Sequence, residues 1–186
     1  MSVYWGTLLE EIDNAVLVGC LPVNFGYGLC GIGWMYLYLE HHEFLYEYSD
    51  DVIRYIDKSV QSINLCRLEN DDFYTGLGGI LCYIVTRLRQ KRKTLDNGDI
   101  YDSSFLDDAY VASKRVIERG KNVYTCFFAF QLIDMLDCKD TQAIDWEPRI
   151  NDWFCNSYAL PNNRKYWKGG LLEGCWGYTL PCMIKV

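Results

Sequence analysis

The sequence predicts an all-α fold built from repeated helix hairpins, and three observations support this prediction. Apolar residues recur at spacings of three and four in several segments, which is the period of a helix with one buried face. Glycine-rich motifs recur along the chain, and their anchor glycines are Gly31, Gly79 and Gly174. The first two anchors are 48 residues apart and the last two are 95 residues apart, which is one repeat length and nearly two. We therefore predict helix pairs that repeat along a single domain spanning residues 1–186.

The first helix of each pair is predicted to be amphipathic and to lie in an outer layer. Such helices are expected before residues 20, 67, 120 and 157. Residues 51–65 illustrate the pattern, because apolar positions recur three and four residues apart while charged residues occupy the other face. The third outer helix is predicted to begin at an N-cap serine, Ser103 or Ser104, and to stop at Gly120. The fourth is expected over residues 144–154.

The second helix of each pair is more apolar, and a helix that is apolar on most sides is buried on most sides. These inner helices are predicted over residues 28–40, 76–90, 122–137 and 170–184. The segment 122–137 has no glycine motif and is interpreted as a degenerate repeat. The glycine-rich starts lie at the same end of each inner helix, so they are predicted to converge on one face. Helix starts carry unsatisfied N–H groups, which makes that face the expected location of a functional site.

Charge and cysteine content argue against several classes of function. The formal net charge is −7 at pH 7 and the pI is about 4.8, so nucleic acid is not an expected partner. The nine cysteines include no C-x-x-C pair, which argues against a zinc ribbon and a thioredoxin-type site. No signal-peptide pattern opens the chain, and no apolar stretch is long enough to span a membrane. We therefore expect a cytoplasmic protein with free thiols and no membrane partner.

The glycine motifs carry a family resemblance. The letters GLCGIG at residues 28–33, GLGGI at 76–80 and GLLEGCWG at 170–177 resemble the helix starts of the lanthionine synthetase C-like family. The resemblance implies an α/α toroid, in which outer helices wrap a ring of inner helices. It also implies zinc-dependent cyclisation, in which a peptide Cys thiolate adds to a dehydrated Ser or Thr. This chain has about four predicted hairpins, fewer than the complete family ring, so the resemblance implies a partial toroid.

The resemblance does not extend to the family's catalytic residues. The family's zinc site uses a Cys from a W-C-x-G motif and an adjacent Cys-His pair, and a further His lies in a G-x-x-H-G motif. The histidines of this chain are His41 and His42, at the predicted end of the first inner helix, and neither follows a cysteine. The nearest match to the Cys motif is GCWG at residues 174–177, in which Cys and Trp stand in the reverse order.

Three cysteines occupy comparable places in three repeats and are the candidate metal ligands: Cys30, Cys126 and Cys175. Three thiolates can in principle hold a metal ion. Buried cysteines at such positions are more often small core residues, and we favour that interpretation. We accordingly expect no cofactor, with zinc as the alternative.

Five further residues near the glycine motifs are candidates for a site. The carboxylates Asp72 and Glu173 are candidates for general acid or base work, because both are predicted to lie on the glycine-rich face. At a helix start, a carboxylate also stabilises the helix dipole, which is the structural interpretation of Asp72. The aromatic residues Tyr27, Tyr74 and Trp176 are the candidate binding residues.

These observations predict a lanthionine synthetase C-like protein that lacks an intact zinc site. We expect a non-catalytic accessory in peptide modification that binds a peptide or protein partner. The alternative is an enzyme, either a thioether-forming cyclase or a carbohydrate-processing (α/α) barrel hydrolase. An open array of repeats exposes apolar flanks, so a homodimer is also predicted.

Overall fold

The computed structural model describes residues 3–44, 50–93 and 99–137, and over these ranges the protein is all-helical, as predicted. The helices of the described ranges are α1 (Val3–Leu17), α2 (Leu29–His41), α3 (Asp50–Gln61), α4 (Leu77–Lys93), α5 (Ser103–Arg119) and α6 (Val123–Leu136). A 3-10 helix, Leu65–Arg67, lies between α3 and α4. The α-helices form three successive pairs of an outer and an inner helix, which confirms the predicted repeat.

The predicted fourth hairpin, over residues 144–154 and 170–184, lies outside the described residues. The predicted closure of the hairpins into a partial toroid therefore stays a prediction.

Helix α3 shows why the outer helices form where the sequence places them. Val52, Ile53, Ile56 and Val60 are each at most 2% exposed, so one stripe of the helix packs into the core. Asp51 lies in the first turn, where a carboxylate interacts favourably with the positive end of the helix dipole. The spacing of apolar residues is thus sufficient to orient this helix.

Helix α2 is buried on all sides, as predicted for an inner helix. Every residue from Leu29 to Leu39 is buried. Helices α3 and α4 both pack against it, and Tyr36 on α2 donates a hydrogen bond of 2.5 Å to Asp13 on α1.

The inner helices form one row, because α4 packs against both α2 and α6. In the outer layer α1 packs against α3, and α5 packs against its inner partner α6. Close packing within the row depends on Gly33 of α2, where an added Cβ would lie 2.5 Å from the Tyr83 ring of α4. This packing is consistent with a helical repeat.

Two glycines exactly one repeat apart allow the same tight turn before α2 and α4. The Leu29 N–H donates to the Pro22 carbonyl at 2.8 Å, and the Leu77 N–H donates to the Asn70 carbonyl at 2.9 Å. A Cβ at the preceding glycine, Gly28 or Gly76, would overlap the same carbonyl oxygen in each loop. Each loop can therefore turn tightly into its inner helix only with glycine at this position.

The predicted N-cap of α5 is wrong by one residue. Asp102, not Ser103 or Ser104, caps the helix, because its backbone is extended and its carboxylate accepts the Phe105 N–H at 2.8 Å. Both serines lie in the first helical turn. The predicted stop at Gly120 is confirmed, since this residue has a left-handed backbone with φ of 58° and its N–H caps the last turn.

Among the helices that the structure describes, none is long and apolar enough to cross a membrane.

Candidate functional site

The starts of the three described inner helices share one local design. Asn24 Oδ1 accepts the Tyr27 N–H at 2.9 Å, and Asp72 Oδ1 accepts the Thr75 N–H at 2.8 Å, exactly one repeat later. Asn122 plays the same part before α6, where its side chain accepts the N–H groups of the next helical turn. Asn24 and Asp72 accept backbone donors of the loops before α2 and α4, whereas Asn122 caps the first turn of α6 itself. We call the surface formed by residues 22–28, 70–76 and 120–124 the glycine face.

Hydrogen bonds between neighbouring loops hold the glycine face together. The Gly26 N–H donates to the Tyr74 carbonyl at 2.8 Å, which joins the loops before α2 and α4. The Thr125 hydroxyl at the start of α6 donates to the Asp71 carbonyl at 2.7 Å. Asp71 also forms an ion pair of 3.3 Å with Arg119 of α5. The structure therefore brings all three described helix starts together, as predicted.

The chain segment that leads into the second loop is anchored by one arginine of α5. The Arg115 guanidinium donates to the carbonyls of Leu65 and Leu68 at 3.2 and 2.7 Å, and also to the carbonyl of Cys66. Three carbonyls around one guanidinium fix the 3-10 helix against the third hairpin, so the second loop is positioned by a neighbouring repeat.

Aromatic rings pack beneath and within the glycine face. The Phe73 ring centroid lies 4.9 Å from Phe25, 5.4 Å from Tyr74, 6.4 Å from Tyr124 and 5.8 Å from Phe128. These separations are in the range of favourable aromatic pairs. Phe73 thus joins aromatic residues of all three described repeats.

Three tyrosines, one from each repeat, lie on this face. Tyr27 and Tyr74 are half-buried, whereas Tyr124 is 54% exposed. Tyr27 and Tyr74 are predicted from the glycine motifs, but Tyr124 is not, because the third repeat lacks such a motif. Each of the three tyrosines follows an Asn or Asp by two or three residues, and this pattern is the sequence signal that identifies Tyr124.

In the structure the carboxylate of Asp72, a predicted acid or base, forms the turn before α4. Burial by itself raises the pKa of its carboxyl group, but hydrogen bonds from the Thr75 N–H, the Thr75 hydroxyl and the Tyr74 N–H more than offset this and hold the pKa below its usual value. At neutral pH the carboxyl group therefore carries no proton to donate. Glu173, the other predicted carboxylate, and the predicted binding residue Trp176 lie outside the described residues.

The two candidate metal ligands that the structure describes are both in or near the core. Cys30 is fully buried in α2, and burial, reinforced by Cys82 and Asp57, raises the pKa of its thiol well above the usual value. Cys126 is half-buried, and its thiol donates to the Val116 carbonyl at 3.6 Å. No group of three Cys, His, Asp or Glu side chains suited to a metal ion occurs within the described ranges. The third candidate, Cys175, lies outside them.

The adjacent histidines end α2, as predicted. His41 is the last helical residue and His42 is the C-cap. The His42 ring lies 4.4 Å from the Tyr38 ring, measured between centroids, so it packs on the end of its own helix.

A buried polar cluster away from the glycine face was not predicted. The Asp57 carboxylate of α3 accepts hydrogen bonds from the Tyr83 and Tyr101 hydroxyls at 2.7 and 3.1 Å and from the Arg87 Nε at 3.0 Å. In the sequence, Asp57 stood only as one of the polar residues expected on the outer face of α3. The cluster joins α3, α4 and the segment before α5. Because it is buried, we assign it a role in stabilising the fold.

Comparison of the chain with protein-family models, curated proteins and solved structures finds no match. Its function is therefore inferred from the contacts, burial and charge of the described residues.

Proposed function

We propose that this chain is a non-catalytic scaffold that holds a peptide or protein segment on its glycine face. One observation carries the proposal: the first turns of three successive inner helices, or the loops just before them, place Tyr27, Tyr74 and Tyr124 on the same face. A repeat that presents one tyrosine per unit beside the start of its inner helix is a design suited to an extended ligand.

The physical properties of these rings suit recognition. Tyrosine offers a large, rigid and amphipathic contact area, and little conformational entropy is lost when it binds. The Phe73 ring packs against both Tyr74 and Tyr124, so the two tyrosines are supported before any ligand arrives. Preorganised aromatic residues of this kind dominate binding energy at protein interfaces.

The roles of the described polar candidates support binding rather than chemistry. Asp72 uses its carboxylate to form the turn before α4, and Cys30 holds its thiol in the core. We infer that the chain is a divergent relative of the lanthionine synthetase C-like family that serves as an accessory in peptide modification. The row of inner helices beside an outer layer is compatible with that relationship.

Selection from a display library of random linear peptides tests the proposal. We expect the full chain to select peptides whose affinity falls about thirtyfold in the Tyr124→Ala variant, the size typical of an aromatic hot spot. Phe130→Ala is the matched control, because this ring is 53% exposed on the same helix but lies outside the glycine face. Failure to select any peptide, or equal losses in the two variants, would contradict the proposal.

Metal content separates this proposal from the enzymatic alternative. We expect the purified full chain to hold no stoichiometric zinc. One zinc ion per chain that is lost on Cys175→Ala would favour the cyclase instead.

We also propose, as the repeat predicts, that the chain forms a homodimer. Multi-angle light scattering should give twice the chain mass of 21.7 kDa. A monomer at high protein concentration would refute this part of the proposal.

A further inference from the structure

The loop that joins α1 to α2 exposes neighbouring apolar side chains. Leu17 and Val18 are 51% and 72% exposed, and Cys20 and Pro22 beside them are also exposed. The chain carries no charged residue from position 14 to position 39, so the loop has no charge of its own. A single exposed apolar residue is common on a protein surface, but neighbours in a charge-free segment form a continuous patch. We call residues 17–23 the apolar loop.

Hydrogen bonds fix the apolar loop where it leaves α1 and where it enters α2. The Gly19 N–H donates to the Val16 carbonyl at 3.0 Å, and a left-handed backbone with φ of 78° at Gly19 ends α1. At the other end the Pro22 carbonyl accepts the Leu29 N–H at 2.8 Å. Leu21, between these points, is half-buried and packs against the core. A patch held in this way loses little conformational entropy when a ligand binds.

The apolar loop runs directly into the glycine face, because residues 22–23 belong to both. The corresponding segments of the other repeats are charged. Arg67 and Glu69 lie before the second loop, Arg119 and Lys121 lie before α6, and all four are exposed. The surface around the three tyrosines is therefore apolar at the first repeat and charged at the second and third.

We propose that the apolar loop anchors the apolar end of the peptide segment that the glycine face holds. The ligand is an extended peptide with aliphatic side chains at the end that lies on the first repeat and polar side chains toward the third. Burial of the aliphatic side chains against Leu17 and Val18 supplies the attraction. This inference rests on the function proposed for the glycine face and states which end of the peptide lies on which repeat.

A lipid bilayer is another apolar partner, and the charge of the chain disfavours it. The net charge of −7 repels anionic headgroups, and the apolar loop has no lysine or arginine to bind them. Stable attachment to a bilayer needs a large buried apolar area together with basic residues, and two exposed aliphatic side chains supply neither. A peptide is therefore the favoured occupant.

Peptides selected from the display library by the full chain test the anchor. Val18→Ser removes an aliphatic side chain that is 72% exposed, and Val111→Ser is the matched control, because Val111 is 56% exposed on α5 and lies outside the glycine face. We expect the affinity of the selected peptides to fall about tenfold in Val18→Ser, the factor that corresponds to burying most of a valine side chain. The affinity should be unchanged in Val111→Ser.

The position of the peptide is a second measurement. We expect the selected peptides to share aliphatic residues at one end. A photoreactive leucine analogue placed at that end should cross-link to residues 17–23, as located by mass spectrometry. Cross-links to other parts of the chain would contradict the proposal.

The outcomes separate the anchor from the glycine face. Equal affinities in Val18→Ser and Val111→Ser, together with a loss in Tyr124→Ala, refute the anchor and leave the proposed function intact. A loss in Val18→Ser without one in Tyr124→Ala keeps the anchor and refutes the three-repeat surface, and failure to select any peptide refutes both.

Two further results overturn the proposal by assigning the apolar loop to another partner. Binding of the chain to phosphatidylcholine vesicles that is lost in Val18→Ser assigns the loop to lipid. A dimer in light scattering that dissociates in Val18→Ser assigns the loop to a second copy of the chain.

Discussion

Replacing the buried Asp57 with alanine should strongly destabilise the fold, because this carboxylate serves three donors on other parts of the chain. The change deprives the Tyr83 and Tyr101 hydroxyls of their acceptor and removes the 3.0 Å ion pair with Arg87. The Asp57 and Arg87 side chains are only 9% and 20% exposed, so water compensates little for the loss. Removing one partner of a buried ion pair costs about 3–5 kcal/mol, and we expect about 3–4 kcal/mol here.

Urea unfolding of the full chain, followed by circular dichroism, measures this loss. The matched control is Asp51→Ala on the same helix, where the carboxylate is 79% exposed and lies 3.7 Å from Arg54. An exposed pair of this kind contributes at most about 1 kcal/mol, so the control should unfold close to the unmodified chain. The contrast between the two aspartates separates burial from charge.

A double-mutant cycle shows whether the contacts act as a network. Tyr101→Phe alone should cost about 1.5 kcal/mol, the value for a hydrogen bond to a charged group. In the Asp57→Ala background the same change should cost much less, because the acceptor is already gone, which gives a coupling energy of about 1 kcal/mol. An Asp57→Ala loss below about 1 kcal/mol, or strictly additive effects, would refute the reasoning.

Three further predictions concern stability and use the same unfolding assay. Gly79→Ala should cost about 3 kcal/mol, because the new Cβ would overlap Phe25 and force the packed loops apart. A loss of less than about 0.5 kcal/mol, the size of an ordinary surface change, would contradict this. Asn122→Ala should cost about 1 kcal/mol through loss of the α6 cap, and an unchanged urea midpoint would count against the cap. Burial raises the pKa of Tyr83 and Tyr101 well above 10.0, so they retain protons that the unfolded chain releases. The stability that these two raised pKa values contribute is complete below pH 10.0. Above pH 10.0 the free energy of unfolding should fall by about 1.4 kcal/mol per pH unit for each tyrosine. A double variant, Tyr83→Phe with Tyr101→Phe, that loses stability with the same slope above pH 10.0 would disprove this prediction.

The helices and their order could be predicted because their signals are local. Apolar spacing over 51–65 located α3, and Gly120 marked the end of α5. The error at the start of α5 was also local, since Asp102, Ser103 and Ser104 are all good N-caps and only backbone geometry selects among them.

The glycine face was predicted in part. Two glycine motifs located the loops that hold Tyr27 and Tyr74, but the start of α6 has no such motif. Its tyrosine, Tyr124, is identified only when Asn122 is recognised as the equivalent of Asn24 and Asp72. A capping side chain is a weaker sequence signal than a glycine pair, because asparagine and aspartate occur in many other contexts.

By itself the sequence determined the all-α class, the hairpin repeat and the face on which the helix starts converge, because periodicity and turn chemistry act within a few residues. Only the tertiary structure decided which side chains meet across repeats. It turned Asp57 from an expected surface residue into a buried acceptor for Tyr83, Tyr101 and Arg87. Such pairings join residues that lie far apart in the chain or depend on local burial, and burial becomes known only when the helices have packed.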